Sequence, residues 1–134
     1  MEKIIETSYT IFYQYKPDIV FSEMKFRKTI SIADVKENMK AFQSFVPKGQ
    51  KILYVSDIAK MRGMDREARD FAEKNTDFPA MITANAMLVS NPISRMVGNF
   101  LLGLNKAIIP MKLFTDIDKA VIWLRTFKEE EKNT

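Results

Sequence analysis

Asp57 and Asp116 are the two acids placed where a carboxylate pair could serve as general acid and base, each at or just past the end of an apolar run. Around the first lies a charged loop holding Lys60, Arg62, Asp65, Arg66 and Arg69. Arginine forks suit carboxylates and phosphates, so an anion or partner contact is one use of this loop. Helix caps and (i, i+4) pairs such as Asp65 with Arg69 account for the same residues without a ligand. The 134-residue chain has no Cys and no His. That excludes Ser–His and Cys–His nucleophile pairs, a His base, thiolate chemistry and ordinary zinc or haem ligation. Neither G-x-x-x-x-G-K-S/T nor G-x-G-x-x-G occurs, which argues against a nucleotide phosphate cradle. With no nucleophile, base or metal cluster around the two Asp residues, no catalytic residue, metal or cofactor is assigned. A non-catalytic protein is expected.

The charge balance, 21 Lys and Arg against 17 Asp and Glu, gives +4. The basic residues are dispersed, and the densest group (Lys25, Arg27, Lys28) is broken by Phe26, so no nucleic-acid partner is expected. Met1 to Glu6 carries acids and no long apolar core, unlike a signal peptide. No apolar run reaches the ~20 residues that span a bilayer. These features predict a cytoplasmic protein, with peripheral membrane attachment as an option.

The elements that must position these residues follow from patterning. Length predicts one domain over residues 1–134, with a polar frayed tail at 129–134. Ser8 to Tyr15 and Ile19 to Phe26 read as a hairpin about Lys16-Pro17-Asp18. Ser31 and Asp34 resemble a capping box before a helix with Ile32, Val35, Met39, Phe42 and Val46 on one face. Lys51 to Ser56 and Ala84 to Ser90 read as strands buried on both faces. A helix near Asp65 to Lys74 turns Ala68, Phe71 and Ala72 inward. Asn91-Pro92 opens a helix that Asn105-Lys106 would close, with Ile93, Met96, Val97, Phe100, Leu101 and Leu104 inward. Met111 to Phe114 is a last strand. Thr115 and Asp118 then form a second capping pair, before a helix with Ile117, Ala120, Val121, Leu124 and Phe127 inward. The order β-β-α-β-α-β-α-β-α predicts an α/β fold with a mostly parallel mixed sheet flanked by helices.

Three segments carry a family resemblance: KILYVSDIAKMRGMDREAR (51–69), MLVSNPISRMVGNFLLGLNK (87–106) and PMKLFTDIDKAVIWLRTF (110–127). In order and spacing the chain resembles the SpoIIAA-like branch of the STAS domains, a group described as related to CRAL-TRIO lipid-binding domains. The resemblance implies a regulatory or ligand-binding module. STAS antagonists carry a phosphorylatable Ser after an Asp at a strand end. Here Ile58 and Ala59 follow Asp57, so no phosphorylation is expected there. Ser56 should point to the opposite side of its strand and stay buried.

The segment from Phe78 to Thr115 contains no Asp or Glu, and its only charges are Arg95, Lys106 and Lys112. Leu102 falls off the inward stripe of the helix within it. Two Gly residues, Gly98 and Gly103, weaken the helix intrinsically, or else allow close packing. The chain is therefore expected to engage a protein partner or a membrane surface through Pro92–Leu104. The alternative is a carrier or sensor for a nonpolar, lipid-like molecule under that helix. Asp57, Arg62, Asn91, Arg95, Met96, Asn99, Phe100 and Leu102 are the candidate ligand- or partner-binding residues. A homodimer through the hairpin edge is a further option.

Overall fold

Alternating apolar and polar residues favour strands where one face is covered, and apolar runs favour strands covered on both. The computed structural model, which describes residues 1–105 and 108–132, forms its main sheet from such segments. They are β1 (Glu2–Glu6), β2 (Thr10–Lys16), β3 (Ile19–Met24), β5 (Ile52–Asp57), β7 (Ile82–Leu88) and β8 (Met111–Phe114). Two short strands, β4 (Lys28–Ile30) and β6 (Met61–Met64), pair in parallel as a separate small sheet. The helices are α1 (Ile32–Phe45), α2 (Arg66–Lys74), α3 (Pro92–Asn105) and α4 (Ile117–Lys132). A single 3-10 turn, Pro79–Met81, precedes β7.

The main sheet runs β1-β2-β3-β5-β7-β8. Its first two pairings are antiparallel and the other three parallel. This is the predicted mixed α/β sheet, with helices on both faces. β1, β4 and β6 are additions to the expected order. β1 covers β2, and β5 covers β3. The hairpin therefore has no free edge for a dimer. The edges are β1, interrupted by a register shift and carrying Glu2, Lys3 and Glu6, and the four-residue β8. Charges, irregularity and shortness all discourage strand addition.

Leu124 and Ala120 of α4 pack on Ile19, Phe21, Leu53, Val55, Ala84 and Ala86 across one face. Arg125 and Lys128 reach Asp18 at the hairpin turn, at 3.0 and 3.3 Å. α4 continues to Lys132, so the tail expected at 129–134 is helical through that residue, and 133–134 lie outside the described residues. The other face carries α1, α2 and α3. The capping box at Ser31 and Asp34 is complete. At α4 the cap is Asp116, whose Oδ1 accepts from the Asp118 amide, and not Thr115.

α3 sits closer to the sheet than its large residues suggest. Its inward face is Ser94, Val97, Gly98 and Leu101, while Ile93, Met96 and Phe100 point to solvent. Leu102, expected off the inward stripe, packs with Leu101 against Ile58, Met87 and Val89. A Cβ on Gly98 would lie 2.6 Å from Leu113 Cδ2, whereas one on Gly103 would meet nothing within 4 Å. Gly103→Ala is therefore expected to stabilise by about 0.5–1 kcal/mol, seen as a higher urea midpoint. Gly98→Ala should forfeit that gain. Equal gains at both positions would show that the Leu113 side chain moves aside at no cost.

Candidate functional site

Three strands that otherwise read as apolar each carry a polar residue on the face turned toward α1 and α3: Ser22 in β3, Ser56 in β5 and Asn85 in β7. The register brings them together, pairing Ser22 with Ser56 and Tyr54 with Asn85. The Ser22 and Tyr54 hydroxyls are hydrogen-bonded to each other. Ser56 Oγ donates to Asn85 Oδ1 at 2.9 Å. Ser56 thus faces inward and is buried, as strand alternation predicts. Burial raises the Tyr54 phenol well above its ordinary range, with the Ser22 hydrogen bond opposing weakly, so Tyr54 stays a neutral donor.

These groups form one wall of a cavity of about 190 Å³. Five of the nine methionines line it: Met24, Met61, Met64, Met87 and Met111. Val35 of α1, Ala72 of α2 and Leu101 of α3 close the opposite side. Ile30 and the small β4–β6 sheet form one end, and Tyr9 and Phe78 complete the apolar lining. A second hollow, about 80 Å³, shares Val35, Ala72, Phe78, Asn85 and Met111 with it. Asn85 stands where the two meet.

The predicted site residues do not assemble into one site. Asp57 reaches the cavity wall, but its Oδ1 is engaged by the Ala59 amide at 2.9 Å. Asn91 is structural: its Oδ1 accepts from Ser94 N, Ser94 Oγ accepts from Asn91 N, and its Nδ2 donates to Ala59 O at 3.0 Å. It caps α3 and ties that helix to the loop after β5. Arg95, Met96 and Asn99 lie on the solvent side of α3, with Phe100, over which the Arg69 guanidinium sits. Arg62 is exposed on β6. Leu102 belongs to the core. Asp65 caps α2 through the Ala68 amide. Asp57 and Asp116 each accept from a local amide, Ala59 N and Asp118 N. Among the described residues no three acidic side chains gather where a metal ion would sit. Nor is any helix among them long and apolar enough to cross a membrane.

Of the candidates read from the sequence Asp57 lines the cavity, while the polar wall of Ser22, Tyr54 and Asn85 was missed. The signal was there in Ser22, Ser56 and Asn85, polar residues interrupting buried strands, which calls for a partner or a ligand.

A mixed sheet with an antiparallel hairpin at one side, parallel strands beyond it and helices on both faces is a SpoIIAA-like α/β fold. The chain belongs to the family of domains of unknown function DUF7793, whose model matches residues 13–128. The fold is similar to that of an uncharacterised DUF3478-family protein with a SpoIIAA-like fold from Shewanella loihica PV-4. The two share 12% identity at a TM-score of 0.65, over 90% of this chain and 98% of that one. No curated protein matches the chain.

Proposed function

We propose that this protein is a non-catalytic binding module for a nonpolar small molecule, held between the sheet and α1, α2 and α3. The observation that carries the reading is the methionine-lined cavity of about 190 Å³. Methionine side chains are flexible and polarisable, and they adapt to a guest at low cost. A cavity of about 150 Å³ engineered in another protein stays dry and takes benzene, so this volume is enough for a guest. The carrier or sensor is put ahead of attachment through α3 alone because Leu102 is half-buried against Ile58, Met87 and Val89 rather than presented on the outer ridge.

The test is native mass spectrometry after gentle purification, with thermal melts against an apolar probe such as ethylbenzene. A bound mass or a saturable rise in Tm is expected. At a probe concentration of 100 Kd, stabilisation should reach about 2.7 kcal/mol. An empty protein that no apolar probe stabilises would end the reading.

A second reading rests on the ridge of Ile93, Met96 and Phe100, which are 51%, 64% and 39% exposed, with Arg95 and Arg69 beside it. Such a ridge suits a partner helix or an anionic membrane surface, the latter making the protein peripheral and cytoplasmic. Phosphatidylserine vesicles should then sediment the protein and fail to sediment Met96→Ser/Phe100→Ser.

A further inference from the structure

The cavity's chemistry narrows the guest beyond "nonpolar". Among the described residues no Lys or Arg lines it, so a carboxylate would enter with no cation to meet it. The Asp57 carboxylate already lines it, so a second anion would meet like charge as well as lose water. Asn85 is 7% exposed, and its Oδ1 is taken by Ser56. Its Nδ2 donates to no partner among the described residues, although it lines the cavity. The Ser22 and Tyr54 hydroxyls own two protons and use one between them, which leaves one O–H to donate. No fully buried side-chain nitrogen or oxygen among the described residues lacks a partner, so these N–H groups are open to the cavity, where a guest's acceptor can replace water. Thr10, Asn38 and Asp57 add polar groups, and most of the remaining wall is apolar, with five methionine thioethers and the ring of Phe78 prominent in it. Sulfur against aromatic edges is a favourable contact. The volume fits a ring and a few substituent atoms, not an extended acyl chain.

From this juxtaposition we infer that the cavity selects a small, uncharged, ring-containing molecule with one carbonyl or hydroxyl oxygen. Asn85 Nδ2 and the Ser22–Tyr54 hydroxyl pair receive that oxygen, and carboxylates and long-chain lipids are rejected. The inference rests on the cavity-binding reading above and adds its selectivity.

Four probes separate the two claims: acetophenone, ethylbenzene, benzoate and dodecanoate. Each is titrated at pH 7 into the full chain carrying 13C-methyl methionine and followed by NMR. Acetophenone should shift the methyls of Met24, Met61, Met64, Met87 and Met111 and leave those of Met1 and Met96 in place. It should bind about tenfold more tightly than ethylbenzene, the factor that one buried hydrogen bond supplies. Benzoate and dodecanoate should bind at least about tenfold more weakly than ethylbenzene. In Asn85→Leu, the advantage of acetophenone over ethylbenzene should shrink, and an unchanged advantage would remove Asn85 from the site. If that variant does not fold, the wild-type probe series decides alone. Benzoate or dodecanoate binding as tightly as acetophenone overturns the selectivity. So does equal affinity for acetophenone and ethylbenzene in the wild type. If no probe moves the five methyls, cavity binding itself fails and the selectivity falls with it.

Discussion

Phe42→Ala should destabilise the protein by about 3–5 kcal/mol, most of the margin of a domain whose total is about 5–15 kcal/mol. Phe42 is fully buried on α1 and sits at the centre of an aromatic cluster. Its ring lies 5.4 Å from Phe12 on β2, 4.9 Å from Tyr54 on β5 and 4.7 Å from Phe78 ahead of β7, all three edge to face. One side chain therefore joins α1 to β2, to β5 and to the segment ahead of β7. Truncation removes transfer energy and leaves a cavity that three rigid rings cannot collapse into. For a chain of this length the Tm should drop by about 10–20 °C. Phe26→Ala, at a 47% exposed site, should change stability by no more than about 0.5 kcal/mol. Comparable losses at the two sites, measured by urea unfolding, would contradict this account of the core. Tyr54 gives the prediction a functional side. Its ring leans on Phe42 while its hydroxyl faces the cavity. A folded fraction of Phe42→Ala should therefore also lose probe affinity.

How far the sequence anticipates this structure depends on which residues carry the packing. The stripe through Phe42 and Val46 and the stripe through Ala120 and Leu124 were legible because large apolar side chains mark a buried face at period 3.6. The same logic misorients α3. There the helix lies so near β8 at Gly98 that the first turns of its inward face hold Ser94, Val97 and Gly98, with Leu101 following. Its bulkiest residues, Met96 and Phe100, are displaced to the outside. An apolar pattern weights large residues, and close approach selects small ones. β1 was hidden because Glu2, Lys3 and Glu6 suit an edge strand and also an unstructured end. β4 and β6 are three and four residues long and owe their existence to each other. No local propensity announces such a pairing. The cavity is legible only in retrospect. It depends on registers that align Ser22 with Ser56 and Tyr54 with Asn85 across three strands far apart in sequence.

Asp34→Ala should cost about 2–3 kcal/mol at neutral pH, from the loss of a helix cap and of buried charge-assisted hydrogen bonds together. The Asp34 carboxylate is buried. Oδ2 accepts from the Ser31 amide and Oδ1 from Lys28 Nζ, both at 2.9 Å. Lys28 lies on β4, so one carboxylate both starts α1 and holds the small sheet that ends the cavity. Burial alone pushes Asp34 upward, but the Ser31 hydrogen bonds and Lys28 together outweigh it and hold the carboxyl below its ordinary value. A carboxyl depressed in the folded state stabilises at pH values above its unfolded pKa of about 4, and that contribution disappears as pH falls through the folded value. The gap in stability between wild type and Asp34→Asn should thus stay level from neutral pH down to about 5 and close below about 4. The Asn variant keeps the shape and removes the charge, so its curve should be the flatter one. Urea midpoints measured from pH 3 to 7 decide the matter. No gap between wild type and Asp34→Asn at neutral pH would mean that shape rather than charge makes Asp34 matter. A weakened Lys28 anchor should also loosen the end of the cavity near Met61 and Met64. Probe affinity should then fall with the same acid dependence as stability.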